Sequence, residues 1–315
     1  MTKLGTSDLD VSTLSLGTNV FGWNVDEAGA HAVLDAYVAG GGNFIDTADV
    51  YSAWIPGNRG GESETIIGTW LAAHPERRDD LVVATKVGAL HGLEGLSRNA
   101  ILTAADASLQ RLQTDRIDLY WAHIDDQDTP LEETLGAFGE LIGAGKVRAI
   151  GASNHSAPRL AEALEVSRRE GLAAYVALQP QYNLVERKDY ENGLASVVAE
   201  HGLSTVPYFG LAKGFLTGKY RPGGPEVDSP RAPAAAAYLR HGGAAVLDVL
   251  DEVAAAHDVP VAAIALAWLA AQPTVVSPIA SARTVQQLED LLPVNQIALT
   301  ADEVAALSAA TSASA

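Results

Sequence analysis

Eight short apolar segments recur along this chain, each separated from the next by a stretch of helical period, and no other feature constrains the fold as strongly. They fall at residues 14–17, 44–47, 81–85, 117–121, 147–151, 175–178, 204–206 and 275–277. Segments at 27–39, 62–73, 99–112, 131–142, 158–170, 192–201 and 243–256 place apolar residues three and four apart, as a helix with one buried face requires. Strands apolar on both faces and joined by helices belong to parallel sheets, and eight such units are the count that closes a barrel. The expected fold class is therefore α/β, a (β/α)8 TIM barrel, with an open doubly wound sheet as the alternative.

Two observations favour the barrel. No Gly-rich dinucleotide turn follows a strand; the nearest candidate, Gly143-Ala144-Gly145, precedes one and reads as a helix stop. In addition, Asp46, Lys86, His123, Ser153 with Asn154, Gln179 and Tyr208 each stand at or just past the C-terminal end of a different apolar segment. In a closed barrel those ends converge on one mouth. Ahead of the barrel, Leu4 to Leu9 alternates turn residues with apolar ones, which predicts an N-terminal β-hairpin. After strand 7 the stretch 211–243 is rich in Gly, Pro and Ala and too long for a simple βα loop, which predicts a structured lid. The small residues of 309–315 are expected to fray. No linker interrupts the pattern, so residues 1–315 are expected to form a single barrel domain.

Composition narrows the function. Hydrophobic residues make up 48% and charged ones 19%, ordinary for a chain with a sizeable core. A formal charge of -18 with no basic run argues against nucleic acid as a partner, and any phosphate site must be locally basic or built from backbone donors. The absence of cysteine excludes disulfides, thiolate ligands and a cysteine nucleophile. The histidines show no metal-ligand spacing, and Asp125, Asp126 and Asp128 lead into a helix start, so no metal is expected. No apolar stretch approaches a membrane span and the first nine residues lack a signal-peptide core, which predicts a cytoplasmic protein with no membrane partner.

A strand-end Asp can cap a turn and a loop Tyr can cover a core, but Asp46 and Tyr51 stand near Lys86 and His123 on the ends of three adjacent strands. An ammonium ending an apolar strand needs a carboxylate, and Asp46 on the neighbouring strand is the natural one. Such a set can move a proton at a pocket mouth. Lys86 has a competing reading, as the Schiff-base nucleophile of an aldolase-type barrel.

Residues 43–51, Thr85-Lys86, 118–123, 145–154, 179–183 and 213–220 resemble, in order and spacing, the successive signatures of the aldo-keto reductases. The resemblance implies a hydride passed from a nicotinamide to the carbonyl carbon of an aldehyde or ketone, or the reverse in alcohol oxidation. Tyr51 then gives the oxygen its proton, Lys86 held by Asp46 lowers the phenol's pKa, and His123 orients the carbonyl. It further implies that Ser153, Asn154 and Gln179 bond the nicotinamide carboxamide and that Tyr208 stacks on its ring. Leu211, Gly214 and Lys219 fall near the phosphates, in a loop with Phe209 and Gly210 where the family usually has Ser and Pro. Ser281, Arg283 and Gln287 fall in the adenosine-binding turn, with Ser281 where Gly is usual and Leu291 where Asn is usual. Arg283 with Lys219, and Arg231 beside them, favours NADP (NADPH) over NAD. Trp54, in an extended loop directly after Tyr51, is expected to wall the substrate. The implied partner is a small carbonyl or alcohol compound; a cofactor-binding accessory subunit with little turnover is the second reading. Oligomeric state is not encoded in any heptad or apolar strip.

Overall fold

The computed structural model describes residues 1–312, apart from the side chains of His241 and Ser312. A two-stranded antiparallel hairpin, β1 (Thr2–Lys3) and β2 (Asp10–Val11), leads into eight parallel strands. These are β3 (Ser15–Gly17), β4 (Phe44–Asp46), β5 (Val82–Val87), β6 (Ile117–Ala122), β7 (Val147–Ser153), β8 (Tyr175–Gln179), β9 (Ser204–Thr205) and β10 (Ile279–Ala280). They pair in chain order from β3 to β9, with β10 beside β3. The ring closes through the approach to β10: Val275 bridges to Thr205, Val276 N–H donates to the Thr205 carbonyl at 3.0 Å, and Ile279 N–H to that of Pro207 at 2.9 Å. The eighth strand thus begins against β9 and ends against β3. Its regular pairing lies at Ile279–Ala280 and not at the expected 275–277, because Pro278 has no N–H to give the ladder; its carbonyl instead accepts from Ser15 N–H at 3.1 Å.

The helices are α1 (Glu27–Ala39), α2 (Glu62–Ala73), α3 (Arg98–Leu112), α4 (Leu131–Gly143), α5 (Ala157–Glu170), α6 (Ala195–Glu200), α7 (Ala232–Ala236), α8 (Gly243–His257), α9 (Val261–Ala270), α10 (Val285–Glu289) and α11 (Ala301–Ser312). Asp26, Ser97, Ser156 and Thr284 cap four of them by accepting a backbone N–H of the first turn. Gly145, at φ 75°, ends the turn after α4 as expected. The helix expected at 192–201 is shorter, since a π turn at Tyr190–Leu194 carries Gly193 at φ 130° and only Ala195–Glu200 is α-helical. The 211–243 connection is structured, with 3-10 turns at Ala212–Thr217 and Ala237–His241 around α7. Within the tail expected to fray, residues 309–312 complete α11 and the remainder lies outside the described residues.

Strand alternation decides what reaches the barrel interior. Phe44, Val82, Ala84, Leu119, Trp121, Ala149 and Ala177 pack inside with Leu4, Leu9 and Val11 of the hairpin, while Ile45, Val83, Tyr120, Ile150 and Leu178 face the helices. The hairpin closes the N-terminal end. Gly5, at φ 53°, donates its N–H to Ser204 Oγ at 2.7 Å, and a Cβ there would lie 2.0 Å from the Val176 carbonyl oxygen. Trp121 fills the middle, and Gly151 makes room for it: a Cβ at 151 would sit 2.3 Å from the indole. With the floor packed, the same inward register carries Asp46, Lys86 and Gln179 to the C-terminal ends of their strands.

Candidate active site

Lys86, 1% exposed, is the centre of the site. Its Nζ donates to Asp46 Oδ2 at 2.5 Å, to the Thr47 carbonyl at 2.7 Å and to the Tyr51 phenol oxygen at 3.0 Å. An ammonium has three protons, so all are used, and the Tyr51 hydroxyl keeps its own proton to give. Gln179 Nε2 holds the other carboxylate oxygen, Asp46 Oδ1, at 3.0 Å. Burial alone would push Lys86 down, but Asp46 and Tyr51 outweigh it and hold the group above the ordinary lysine value. The lysine is therefore a fixed cation, which opposes the Schiff-base reading of Lys86 as a neutral nucleophile.

Tyr51 departs from expectation. Burial pushes its phenol above the ordinary value, and the opposing pull of Lys86 does not reverse this. Residue identity gives the cation, whereas the desolvation that outweighs it comes from the fold. The phenol is accordingly a proton carrier at neutral pH, and Lys86 serves the phenolate left behind once the proton has gone. His123, whose ring centroid lies 6.3 Å from that of Tyr51, is pushed down to about 3 by burial, with Lys86 adding to the effect. It is a neutral imidazole at working pH and a source of one N–H.

A single cavity of about 790 Å³ runs from this set to the far side of the barrel mouth. Every residue singled out from the sequence lines it except Lys86, which lies beneath: Asp46, Tyr51, Trp54, His123, Ser153, Asn154, Gln179, Tyr208, Leu211, Gly214, Lys219, Ser281, Arg283 and Gln287. Ser153, Asn154, Gln179 and Tyr208 form a connected set. Ser153 Oγ donates to the Gln179 carbonyl at 2.9 Å, Tyr208 OH to Asn154 Oδ1 at 2.8 Å, and Asn154 Nδ2 to the His123 carbonyl at 2.8 Å. Gln179 thus spends an amide proton on Asp46 and links the two groups of residues.

Farther along, Lys219, Arg231 and Arg283 make no ion pair among the described residues. Burial first, and then the charge of Arg283, pushes Lys219 down; burial likewise pushes Arg231 down, with Arg283 adding to it. These cations, Arg283 repelling the other two and Lys213 lining the same cavity, fit a ligand carrying several phosphate charges in a chain of net charge -18. The loop between them is strained in the same place. Phe209, Ala212 and Lys213 have φ of 54°, 47° and 59°, ahead of Gly214 at 96°, at a cost of about 1–3 kcal/mol for each non-glycine residue. At the end, Gln287 Oε1 accepts from Arg283 N–H at 2.9 Å, and Ser281 Oγ donates to Asn19 Oδ1 at 2.9 Å, tying this turn to the loop after β3.

The aldo/keto reductase family model matches residues 13–312. The chain belongs to the aldo-keto reductase family. This reductase is an NAD(P)H-dependent oxidoreductase, and it is similar to several named proteins. It is 35% identical to Protein tas of Escherichia coli, over 96% of this chain and 95% of that one. It is 34% identical to a probable voltage-gated potassium channel subunit beta of Arabidopsis thaliana, over 91% and 88%. To norsolorinic acid reductase B of Aspergillus parasiticus it is 33% identical, over 96% and 81%.

Sequence reasoning missed the contribution of the loop after β3 to this reductase's cavity. Trp23 packs edge-on against Trp54, centroids 5.7 Å apart, and lies 5.4 Å beneath the Arg231 guanidinium. The available signal was an aromatic residue a few positions past a barrel strand end, the same signal that singled out Trp54.

Proposed function

We propose that this reductase transfers a hydride between NADPH and the carbonyl carbon of an aldehyde or ketone, or the reverse from an alcohol, with Tyr51 moving the proton. The whole chain acts as one barrel unit in this reading. The observation that carries it is the Tyr51 phenol 3.0 Å from a fully satisfied Lys86, at the floor of a cavity that extends to Lys219, Arg231 and Arg283, cations with no ion pair among the described residues. When bound, the dinucleotide supplies the hydride. Tyr51 gives its proton to the carbonyl oxygen as negative charge gathers there, Lys86 stabilises the resulting phenolate, and neutral His123 donates to the same oxygen. Asp46 keeps Lys86 charged and aimed, and Gln179 steadies Asp46. Ser153 and Asn154 lie where a carboxamide can pair with side-chain amide and hydroxyl groups, Tyr208 beside them offers a ring face, and Leu211, Gly214 and Lys219 border the diphosphate region.

Arg283 supports NADPH over NADH, since an unpaired guanidinium beside Gln287 can take a 2′-phosphate bidentately. Arg283→Ala is expected to weaken NADPH binding about tenfold or more and NADH little, for a loss of about 1.5–3 kcal/mol in one charge-assisted contact. Equal losses for both cofactors in parallel titrations overturn the assignment.

Trp54 is 48% exposed, unusual for so large an apolar side chain, and its ring centroid lies 6.3 Å from that of Tyr51. Trp54→Ala is expected to raise KM for a bulky carbonyl about fivefold or more, in the range of 1–2 kcal/mol for a lost aromatic contact, without altering NADPH affinity. An unchanged KM across substrates of different size returns Trp54 to a packing role.

The likeness to a protein named as a potassium channel subunit supports a second reading, a cofactor-binding accessory subunit. Turnover separates the two: the accessory reading requires bound NADPH to remain unoxidised with every carbonyl tried. The complete set of Asp46, Tyr51, Lys86 and His123 favours the enzyme.

A further inference from the structure

Two residues before Tyr51, the loop after β4 buries a carboxyl that the proton-transfer scheme above does not use. Asp49 is 0% exposed, and the one donor beside its carboxyl, the Val50 backbone N–H, falls short of full hydrogen-bond geometry among the described residues. Four elements present ionisable groups to it. Glu64 comes from α2 and is itself held by Thr85 Oγ1 at 2.5 Å and Arg111 Nε at 2.6 Å; Arg111 comes from α3. Lys86 comes from β5, and the Tyr120 phenol, also buried and unpartnered, comes from β6. The Asp49 backbone N–H points to the Lys86 carbonyl at 3.4 Å, so the turn carrying this carboxyl is joined to the strand carrying the lysine.

We propose that Asp49 is a positioning residue for proton transfer by Tyr51: it works as a neutral carboxylic acid, and its ionisation slows carbonyl reduction. The proposal rests on the reading of Tyr51 as proton donor. A buried carboxylate with no well-aligned donor is strongly disfavoured against its protonated form, and Glu64 already occupies Arg111. Burial, reinforced by Glu64 and only partly offset by Arg111, the Val50 N–H and Lys86, pushes the Asp49 carboxyl up to about 7. The other members of the set lie well away from that value: His123 at about 3, Tyr51 and Lys86 above their ordinary positions. Asp49 is therefore the group of this cluster that changes charge near neutrality.

The consequence follows from where charge develops. In reduction the hydride goes to the carbonyl carbon, the Tyr51 proton goes to the carbonyl oxygen, and a phenolate remains beside Lys86. An ionised Asp49, its proton released to solvent, draws on Lys86, the same lysine that must stabilise the phenolate. Turnover is full below about pH 7 and falls as pH rises through the Asp49 titration.

The test compares wild type with Asp49→Asn, which is close in shape and neutral at every pH. With saturating NADPH and 4-nitrobenzaldehyde, wild-type kcat is expected to fall through an apparent pKa near 7. The variant matches it at about pH 6 and exceeds it roughly tenfold at about pH 9, the effect of one unit in Tyr51 acidity. A variant that keeps the wild-type limb overturns the proposal. A second readout needs no turnover. A carboxyl whose folded pKa lies above its unfolded value contributes stability that is complete below the unfolded value and lost as pH rises through the folded one. The variant's Tm should therefore gain on the wild type between about pH 4 and pH 7 and then hold a constant lead; a lead that does not change with pH also overturns the proposal. Wild type that shows the changing lead yet reduces no carbonyl refutes the Tyr51 reading, and the proposal with it, while establishing the buried proton. Should Asp49→Asn not fold, the wild-type infrared absorption of a protonated carboxyl, expected at about pH 6 and absent at about pH 9, decides the same point.

Discussion

Replacing Tyr51 with phenylalanine is expected to lower carbonyl-reduction kcat by about 10²–10⁴-fold, the usual worth of a positioned general acid, while leaving NADPH affinity nearly unchanged. The substitution removes one oxygen, which accepts from Lys86 at 3.0 Å, and leaves the ring against Trp54. No other group stands ready to replace it. His123 is neutral and can donate a hydrogen bond, but it is too weak an acid in that form to surrender the proton readily. Lys86 is committed to Asp46 and the Thr47 carbonyl. A Tyr51→Phe enzyme that retains more than about a tenth of wild-type kcat would remove the phenol from the chemistry. A variant that loses NADPH binding in proportion would move Tyr51 from catalysis to the cofactor site.

Lys86→Met is expected to abolish reduction and also to destabilise the fold by about 3–5 kcal/mol, because it leaves Asp46, 1% exposed, with Gln179 as its remaining side-chain donor. Few single substitutions in a chain of this size cost as much. The physical claim concerns the orphaned charge and not the salt bridge itself. The double variant Asp46→Leu with Lys86→Met is therefore expected to recover most of that loss in urea unfolding while remaining inactive. A single variant as stable as wild type would mean that solvent reaches Asp46, contrary to the packed floor formed by the hairpin and Trp121.

The barrel was legible because its evidence is periodic. Parallel strands such as 82–87 are apolar on both faces, and the polar residue breaking each run marks the C-terminal end, where βα barrels place their sites. The inward positions of Asp46, Lys86 and Gln179 follow from a period of two counted from Phe44, Ala84 and Ala177. What was not legible depends on packing between segments distant in sequence. Val261–Ala270 shows no helical stripe because it is buried on nearly every face, so periodicity has nothing to detect. The last strand slips past Pro278 because a missing N–H shifts where the ladder can form. Trp23 reaches the cavity through the path of a loop. The direction of the Tyr51 shift and the burial of Asp49 both depend on how much water the fold excludes, which residue identity and spacing do not report.

The central claim is that the cavity joining Tyr51 to Arg283 is an NADPH site, and a fluorescence titration tests it most directly. Trp23 and Trp54 both line that cavity, so ligand entering it should quench tryptophan emission. The expected result is saturable quenching with one NADPH per chain, tighter than NADH by about tenfold or more, as a phosphate contact of about 1.5–3 kcal/mol requires. No saturable change with either cofactor, in protein shown to be folded, would contradict the account.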